Sequence, residues 1–246
     1  MRFFLSITVI LVSLNFKAQE NFTASYNIQF MVDTISIKEN FEKRNIKSSS
    51  SAIQTMRVNM KNEFLETVKN SKDFSFNLDF NKNKSKFYLP KQIETKKFKR
   101  FERFARYKGE YYSFNNNYMH RKNSFGQDFI IIMPKIKWNI TSLSKKIGRY
   151  KCYKAVTEKR IESSEGVSYH NVIAWFAPEI PFNFGPKGYG GLPGLILKLE
   201  EGNISFNLKN ISNLKILDFE KPTKEKKISL KDFNLMAKKM YRNRRN

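Results

Sequence analysis

Alternation between apolar and polar positions dominates this chain, and it changes period only a few times. From Asn21 to Ile37, the residues Phe22, Ala24, Tyr26, Ile28 and Phe30 share one side of a two-residue period, which predicts a first β-strand. The period then lengthens. Ile53, Met56, Met60, Phe64 and Val68 recur at three- and four-residue steps, as one face of an amphipathic helix would, with Ser48-Ser-Ser-Ser51 placed to cap its start. A strand over Met56 to Phe64 is the competing reading. Phe74, Phe76, Leu78 and Phe80 alternate again, Asn81-Lys-Asn-Lys84 turns the chain, and Ser85 to Leu89 returns as the second arm of a hairpin.

Lys91 to Lys108 is rich in charge and carries Phe98, Phe101 and Phe104 at three-residue spacing, as a short helix or an excursion over the sheet. Glu110 to Phe114, Tyr118 to Lys122 and Asp128 to Met133 read as short strands between Asn- and Gly-rich turns. Denser β structure follows: Ile136, Trp138 and Ile140 alternate, then Tyr150 to Glu158, then Ser168 to Phe176. Leu195, Leu197 and Leu199 alternate before Glu201-Gly-Asn203, and Ile204, Phe206 and Leu208 come back as the clearest hairpin in the chain. At the end, Ser229-Leu-Lys-Asp232 forms a capping box, Ile228 and Phe233 flank it as a staple, and Leu230, Phe233, Met236, Ala237 and Met240 line one helix face. A narrow apolar face of this kind suits docking on the sheet better than binding a membrane surface.

The one break in this pattern is Gly185-Pro-Lys-Gly-Tyr-Gly-Gly-Leu-Pro-Gly-Leu-Ile196. Five of the ten glycines and three of the seven prolines lie between Pro181 and Gly194. A phosphate-binding P-loop would need a lysine and a hydroxyl directly after the last glycine, and Gly194 is followed by Leu195-Ile-Leu. The dinucleotide fingerprint fails as well, since its third glycine, counted from Gly188 and Gly190, would be Pro193. Leu192 before proline is pushed to an extended conformation, Pro193 and Gly194 suit the centre of a type II turn, and Gly190 and Gly191 permit close backbone approach. Two roles follow for Pro178, Glu179, Pro181, Gly185, Pro186, Gly190, Gly191, Leu192, Pro193 and Gly194, with Trp175 just ahead of them. They build a strand-entry corner, or they form a loop that contacts a ligand.

Composition bounds where such a chain works. Arg2 followed by the apolar run Phe3 to Leu14 reads as a secretory signal over residues 1–18, with cleavage after Ala18 or Gln19, although Phe16 sits where a small residue is expected. That run is too short to cross a bilayer and no second one follows, so no membrane-spanning helix is expected. Cys152 is the only cysteine, which excludes an intrachain disulfide and a lipid-bearing N-terminal cysteine. The mature chain, residues 19–246, is expected to be a single domain that is soluble in the periplasm or outside the cell. The formal charge of +24 becomes +22 when Arg2 and Lys17 leave with the signal. Lysines spread along the whole length read as a basic solvated surface, and an exported chain is not expected to meet nucleic acid.

No set of residues assembles a reaction. Cys152 and His170 both fall inside predicted strands, with no nucleophile elbow and no orienting carboxylate, so a thiol–imidazole pair is not expected. His120 beside Met119, with His170 about fifty residues on, has no metal-ligand spacing, and neither metal nor cofactor is expected. Glu179, between two prolines beside the glycines, supports no mechanism alone.

The residues from Trp138 onward carry a resemblance. Ile147-Gly-Arg-Tyr-Lys-Cys-Tyr-Lys-Ala155, Ala174-Trp-Phe-Ala-Pro-Glu-Ile-Pro181, Gly185-Pro186 and Gly191-Leu-Pro-Gly-Leu-Ile196, in this order and spacing, resemble the central block of the GLPGLI family. That family is exported and abundant in Bacteroidetes, and the likeness covers Trp138 to Leu208. It implies export, but no activity, cofactor or catalytic residue, because the family has none established. The order of strands is also similar to the curved half-barrel of periplasmic lipoprotein carriers, an analogy of fold that carries no function.

The expected architecture is mainly β, α+β: a curved antiparallel sheet or half-barrel with one or two covering helices. The expected role is a non-enzymatic envelope protein that binds a hydrophobic ligand or another envelope component, or assists its assembly. A hydrophobic-ligand carrier would leave an apolar concave face uncovered. The alternatives are an enzyme using Glu179, His170 or Tyr189 near the glycines, and a basic protein adhering to anionic glycan or lipid.

Overall fold

A computed structural model describes residues 20–32, 50–90, 95–163 and 166–243. The segment read as an export signal lies outside them, as do Ile37 and the first serines before the helix. The described strands are β1 (Asn21–Phe30), β2 (Ser75–Phe80), β3 (Lys84–Tyr88), β4 (Glu110–Phe114), β5 (Asn117–Ser124) and β6 (Gln127–Ile132). They continue with β7 (Asn139–Ile147), β8 (Tyr150–Ser163), β9 (Gly166–Ala177), β10 (Leu195–Glu201), β11 (Ile204–Leu214) and β12 (Lys226–Ser229). The helices are α1 (Ser51–Lys69), α2 (Lys96–Phe104) and α3 (Leu230–Asn243).

All the strands join one 12-stranded sheet in the order β12-β6-β5-β4-β3-β2-β1-β11-β10-β9-β8-β7. β1 is its seam. From one edge of β1 the chain meanders outward through β2 to β6; the second meander, β7 to β11, returns to the other edge of β1. Tight turns permit only antiparallel neighbours, and every pairing is antiparallel except that of β12 with β6.

The period-two pattern sorts the two faces. Along the register, Ala24, Leu78, Phe87, Tyr111, His120 and Ile131 form one row across β1 to β6. On the other side of the seam, Ile28, Phe206, Leu199, Ala174, Ala155 and Ile140 continue the same face. This face is concave and apolar. Its centre is an aromatic stack in which Phe76 lies parallel to Phe87 at 5.4 Å and meets Phe206 and Tyr107 edge-on. The opposite face of β1 and β2 is polar, with Ser25 bonded to Asn77 and Ser75 to Asn27, as expected for an antiparallel sheet wetted on one side.

Three elements cover the concave face. α2 lays Phe101 on Phe74 and Phe76 and starts at Thr95, whose hydroxyl accepts the Phe98 N–H. α3 covers the β6 end, where Phe233 packs on Phe129; the hydroxyl of Ser229 accepts the Asp232 N–H at 3.1 Å, completing the expected cap. The third cover is the chain between β9 and β10, described below. α1 lies on α2 through Phe64 against Phe104, with Arg100–Glu66 and Arg103–Glu63 ion pairs beside it. The helical reading of Met56 to Phe64 therefore holds, and the strand reading fails. Ser50 occupies the N-cap position of α1 without a side-chain hydrogen bond, so the expected serine cap is positional only.

One predicted strand is displaced. Ile136, Trp138 and Ile140 do not share a strand: residues 133–138 carry no regular structure and β7 begins at Asn139. The reason lies in Trp138, which leaves the ladder so that its indole N–H reaches the carbonyl of Gly190 at 2.8 Å.

Candidate functional site

The segment 178–194 leaves β9, crosses the concave face as far as β3, β4 and β5, and returns as β10. Its backbone is stitched to its own exit. Leu195 N–H donates to Ile180 C=O at 2.9 Å, Ile196 N–H to Phe184 C=O at 3.0 Å, and Gly191 N–H to Asn183 C=O at 2.9 Å. Phe182 and Phe184 bury against Phe80, and Tyr118 Oη donates to Asn183 C=O at 3.3 Å. The phenol of Tyr26, wholly buried on the seam strand, donates to Ile196 C=O at 2.7 Å.

Glycine is required where this segment meets the sheet. A Cβ on Gly190 would stand 2.5 Å from Asn183 O, and one on Gly194 would stand 2.2 Å from Ala177 O. The turn type differs from expectation. Gly194 N–H donates to Leu192 C=O at 2.8 Å, closing a three-residue turn around Pro193, and Gly194 sits at φ +156°. A type II turn would hold that glycine near +80°. The backbone instead straightens at once into β10, whose first residues Leu195, Ile196 and Leu197 are completely buried.

The sequence-predicted residues separate into three places. Gly185, Pro186, Gly190, Leu192 and Gly194 are buried under the segment, whereas Pro178, Glu179, Pro181, Gly191 and Pro193 are exposed. Glu179 accepts the backbone N–H of Lys151 at 3.1 Å, joining the start of the segment to β8. Trp175 points to the other face of the sheet, where Lys145 Nζ stands 3.8 Å over its ring. His170 lies far out on β9, bonded to Ser168 Oγ at 3.2 Å. It pairs across the ladder with Lys159, seven residues along β8 from Cys152, a span of about 23 Å at the strand rise. The Cys152 thiol is buried, and that burial pushes its pKa up to about 11. Glu179, His170 and Tyr189 each bond a different partner and, among the described residues, not one another.

A charged cluster that sequence reading missed lies beneath the glycines. Lys187, in the left-handed region at φ +54°, turns its side chain inward until only 8% remains exposed. Its ammonium pairs with Glu201 at the end of β10, which also pairs with Lys159 and accepts from Tyr189 Oη at 3.4 Å. Burial alone would raise the Glu201 pKa, but Lys187 and Lys159 outweigh it and hold the carboxyl down to about 2. Lys187 faces one carboxylate together with Lys159 and Arg106, so burial prevails there and its pKa is lowered. Beside the cluster, Gly188 packs on Tyr111, and His120 stacks on that ring at 4.0 Å. Burial brings the His120 pKa down to about 4, against the pull of the Lys108 carbonyl at 2.6 Å from Nε2. The imidazole is therefore neutral at pH 7 with its proton on Nε2. No motif flags this cluster, because Lys187 is one of 46 cations and Glu201 one of 22 acids, joined only by the fold.

Little space remains around these groups. The hollow lined by Tyr111, Tyr118, Phe184 and Tyr189 leaves no room for a water molecule, and one beside α1 and α2 has about 10 Å³. No group of three or more His, Cys, Asp or Glu among the described residues could hold a metal. The apolar face expected to stay open for a carried ligand is covered by α2, the 178–194 segment and α3 over much of its area, while Ile140 at its β7 end stays 50% exposed.

Residues 138–198 match the model of a family described as "Protein of unknown function (Porph_ging)". They comprise β7, β8, β9, the glycine segment and the first part of β10, which is one end of the sheet with the plug that holds it. No curated protein matches the chain. Among solved structures it is similar to PNGF-II in a C2 crystal form, at 13% identity and a TM-score of 0.50, over 88% of this chain and 32% of that protein. A P21 form of PNGF-II aligns at 14% identity and a TM-score of 0.47, over 88% of this chain and 33% of the other. The chain thus spans about a third of the length of PNGF-II, and the likeness is one of fold. No helix among the described residues is long and apolar enough to cross a membrane.

Proposed function

We propose that residues 19–246 form a single exported GLPGLI-type domain of the cell envelope, which acts by binding or helping to assemble another envelope component and not by catalysis. The observation that carries this reading is the fate of the glycine segment. Gly190 and Gly194 serve close backbone approach, Lys187 and Glu201 form a buried pair, and the two hollows described hold at most about 10 Å³. These hollows leave little room for a substrate, and the covers over the apolar face leave little for a hydrophobic ligand. What the matched block does provide is a basic sheet end open to a macromolecular partner.

Fractionation of the producing cell tests this reading, with mass measurement of the recovered chain. Expected is an envelope or external fraction containing a chain that starts after Ala18 or Gln19. Retention of the full-length chain in the cytoplasm would overturn the export reading. Turnover of a substrate that is lost in Glu179→Gln, with folding intact, would overturn the non-catalytic one.

A further inference from the structure

β7 ends the sheet, and no further strand pairs with its outer side among the described residues. It is a nine-residue strand, whereas the opposite end of the sheet is the four-residue β12, which runs straight into α3. A bulge between Ile140 and Ser144 interrupts this edge, and beyond it Ser144 to Ile147 keep register with β8 and turn a row of backbone donors and acceptors outward for an added strand. Ile140 and Leu143 are 50% and 56% exposed along it, so the edge carries apolar contacts as well.

Charge selects what such an edge admits. From Phe129 to Thr157 the chain carries Lys135, Lys137, Lys145, Lys146, Arg149, Lys151 and Lys154, and no aspartate or glutamate. Lysines on an edge strand repel a second basic copy, a common defence against self-pairing. With a formal charge of +24, this chain repels its own copies over its whole surface. The same lysines attract an acidic strand. The edge is also pre-formed: the Trp138 bond to Gly190 fixes the entry to β7, and Glu179 fixes the start of β8 through Lys151 N–H. A fixed edge loses little freedom when a strand adds to it.

We infer that β7 is a docking edge, taking an acidic, extended segment of a partner protein as a further strand. This rests on the binding role proposed above and names its surface and the chemistry of its partner. Alternate partner residues would place carboxylates against Lys146 and its neighbours, while the main chain completes the ladder.

The test uses the mature full chain and a synthetic ten-residue peptide of alternating glutamate and valine, followed by calorimetry and amide hydrogen exchange. Three controls accompany it: the lysine–valine peptide, the glutamate–valine peptide N-methylated at alternate residues, and polyphosphate. Expected are one-to-one binding, slowed exchange confined to residues 139–147, and roughly tenfold or greater weakening by N-methylation or by the exposed change Lys146→Glu. Equal binding of the N-methylated peptide or of polyphosphate would show adhesion by charge alone and overturn the inference. So would equal binding of the lysine peptide, self-association through β7, or no binding at all. Cell fractionation reads export independently, so failure of this titration leaves the proposed location and class standing.

Discussion

The indole N–H of Trp138 donates to the carbonyl of Gly190 over 2.8 Å, joining residues 52 positions apart. Tyr189, next to that glycine, brings its ring within 6.1 Å of the indole. Gly190 is buried, so its carbonyl has no solvent to replace the indole. Trp138→Phe keeps most of the ring packing and deletes the donor, and a buried acceptor left unpaired costs about 1–3 kcal/mol. Urea unfolding should show a lower midpoint with an unchanged slope. A variant as stable as the parent would show that the bond contributes nothing.

Much of the fold was legible because the two strand faces differ so sharply. Phe74 to Phe80 alternates cleanly since its inward residues are buried under covers and its outward residues are half-exposed, whereas in Leu195 to Phe206 the outward Ile196 and Ser205 are buried as well. Ser229 and Asp232 announced α3 because a cap is local chemistry. β7 was misplaced for the opposite reason: as an edge strand with a bulge between Ile140 and Ser144, it exposes side chains on both faces and shows little period. Trp138 looked like a strand residue until the fold supplied Gly190 as its partner. The glycine corner was recognised by type but not by geometry, since Pro-Gly suits several turns and only Ala177 pressed against Gly194 selects one. Lys187 and Glu201 gave no signal, because a lysine reads as solvated until backbone on both sides encloses it.

Two glycines three residues apart should respond differently to the same methyl group. Gly194→Ala drives a Cβ to 2.2 Å from Ala177 O and 2.8 Å from Pro178 N, both backbone atoms that cannot rotate away. A loss of about 3 kcal/mol or more is expected, or failure to fold. Gly191→Ala meets nothing within 4 Å and is strained only by φ +84°, a cost of about 1–2 kcal/mol. Thermal unfolding of the pair tests the corner directly. Equal losses would mean that the segment is not seated against β9.

His120 should be silent through the range in which histidines ordinarily titrate. Burial between Tyr111 and the Lys108 carbonyl lowers its pKa from 6.5 to about 4, so the unfolded chain takes up this proton first as pH falls. Stability from this site is complete above about pH 6.5 and declines toward pH 4, by about 3 kcal/mol in all. A nuclear magnetic resonance titration should leave its ring signals unshifted down to about pH 5. His120→Phe retains the stack on Tyr111 and should flatten the stability curve between those two pH values. A midpoint near 6.5 would mean that the ring is not enclosed.

The Lys187–Glu201 pair makes the strongest claim about the glycine segment, since it anchors that segment to β10 from beneath. Glu201→Gln leaves the Lys187 ammonium buried with no carboxylate, and breaking a buried pair from one side costs about 3–5 kcal/mol. Lys187→Met should cost less, because Glu201 retains Lys159 and the Tyr189 hydroxyl. Lys187→Met combined with Glu201→Leu should recover much of the loss, as apolar replacements of buried pairs commonly do. The acid response follows the same logic. With its pKa held to about 2 against an ordinary 4.5, Glu201 contributes stability that is complete above about pH 5 and lost as pH falls toward 2. That slope should vanish in Glu201→Gln, and proteolysis within residues 178–194 should quicken in the single variants before the rest of the sheet opens. If cleavage instead begins elsewhere, the pair stabilises the sheet generally and does not latch this segment.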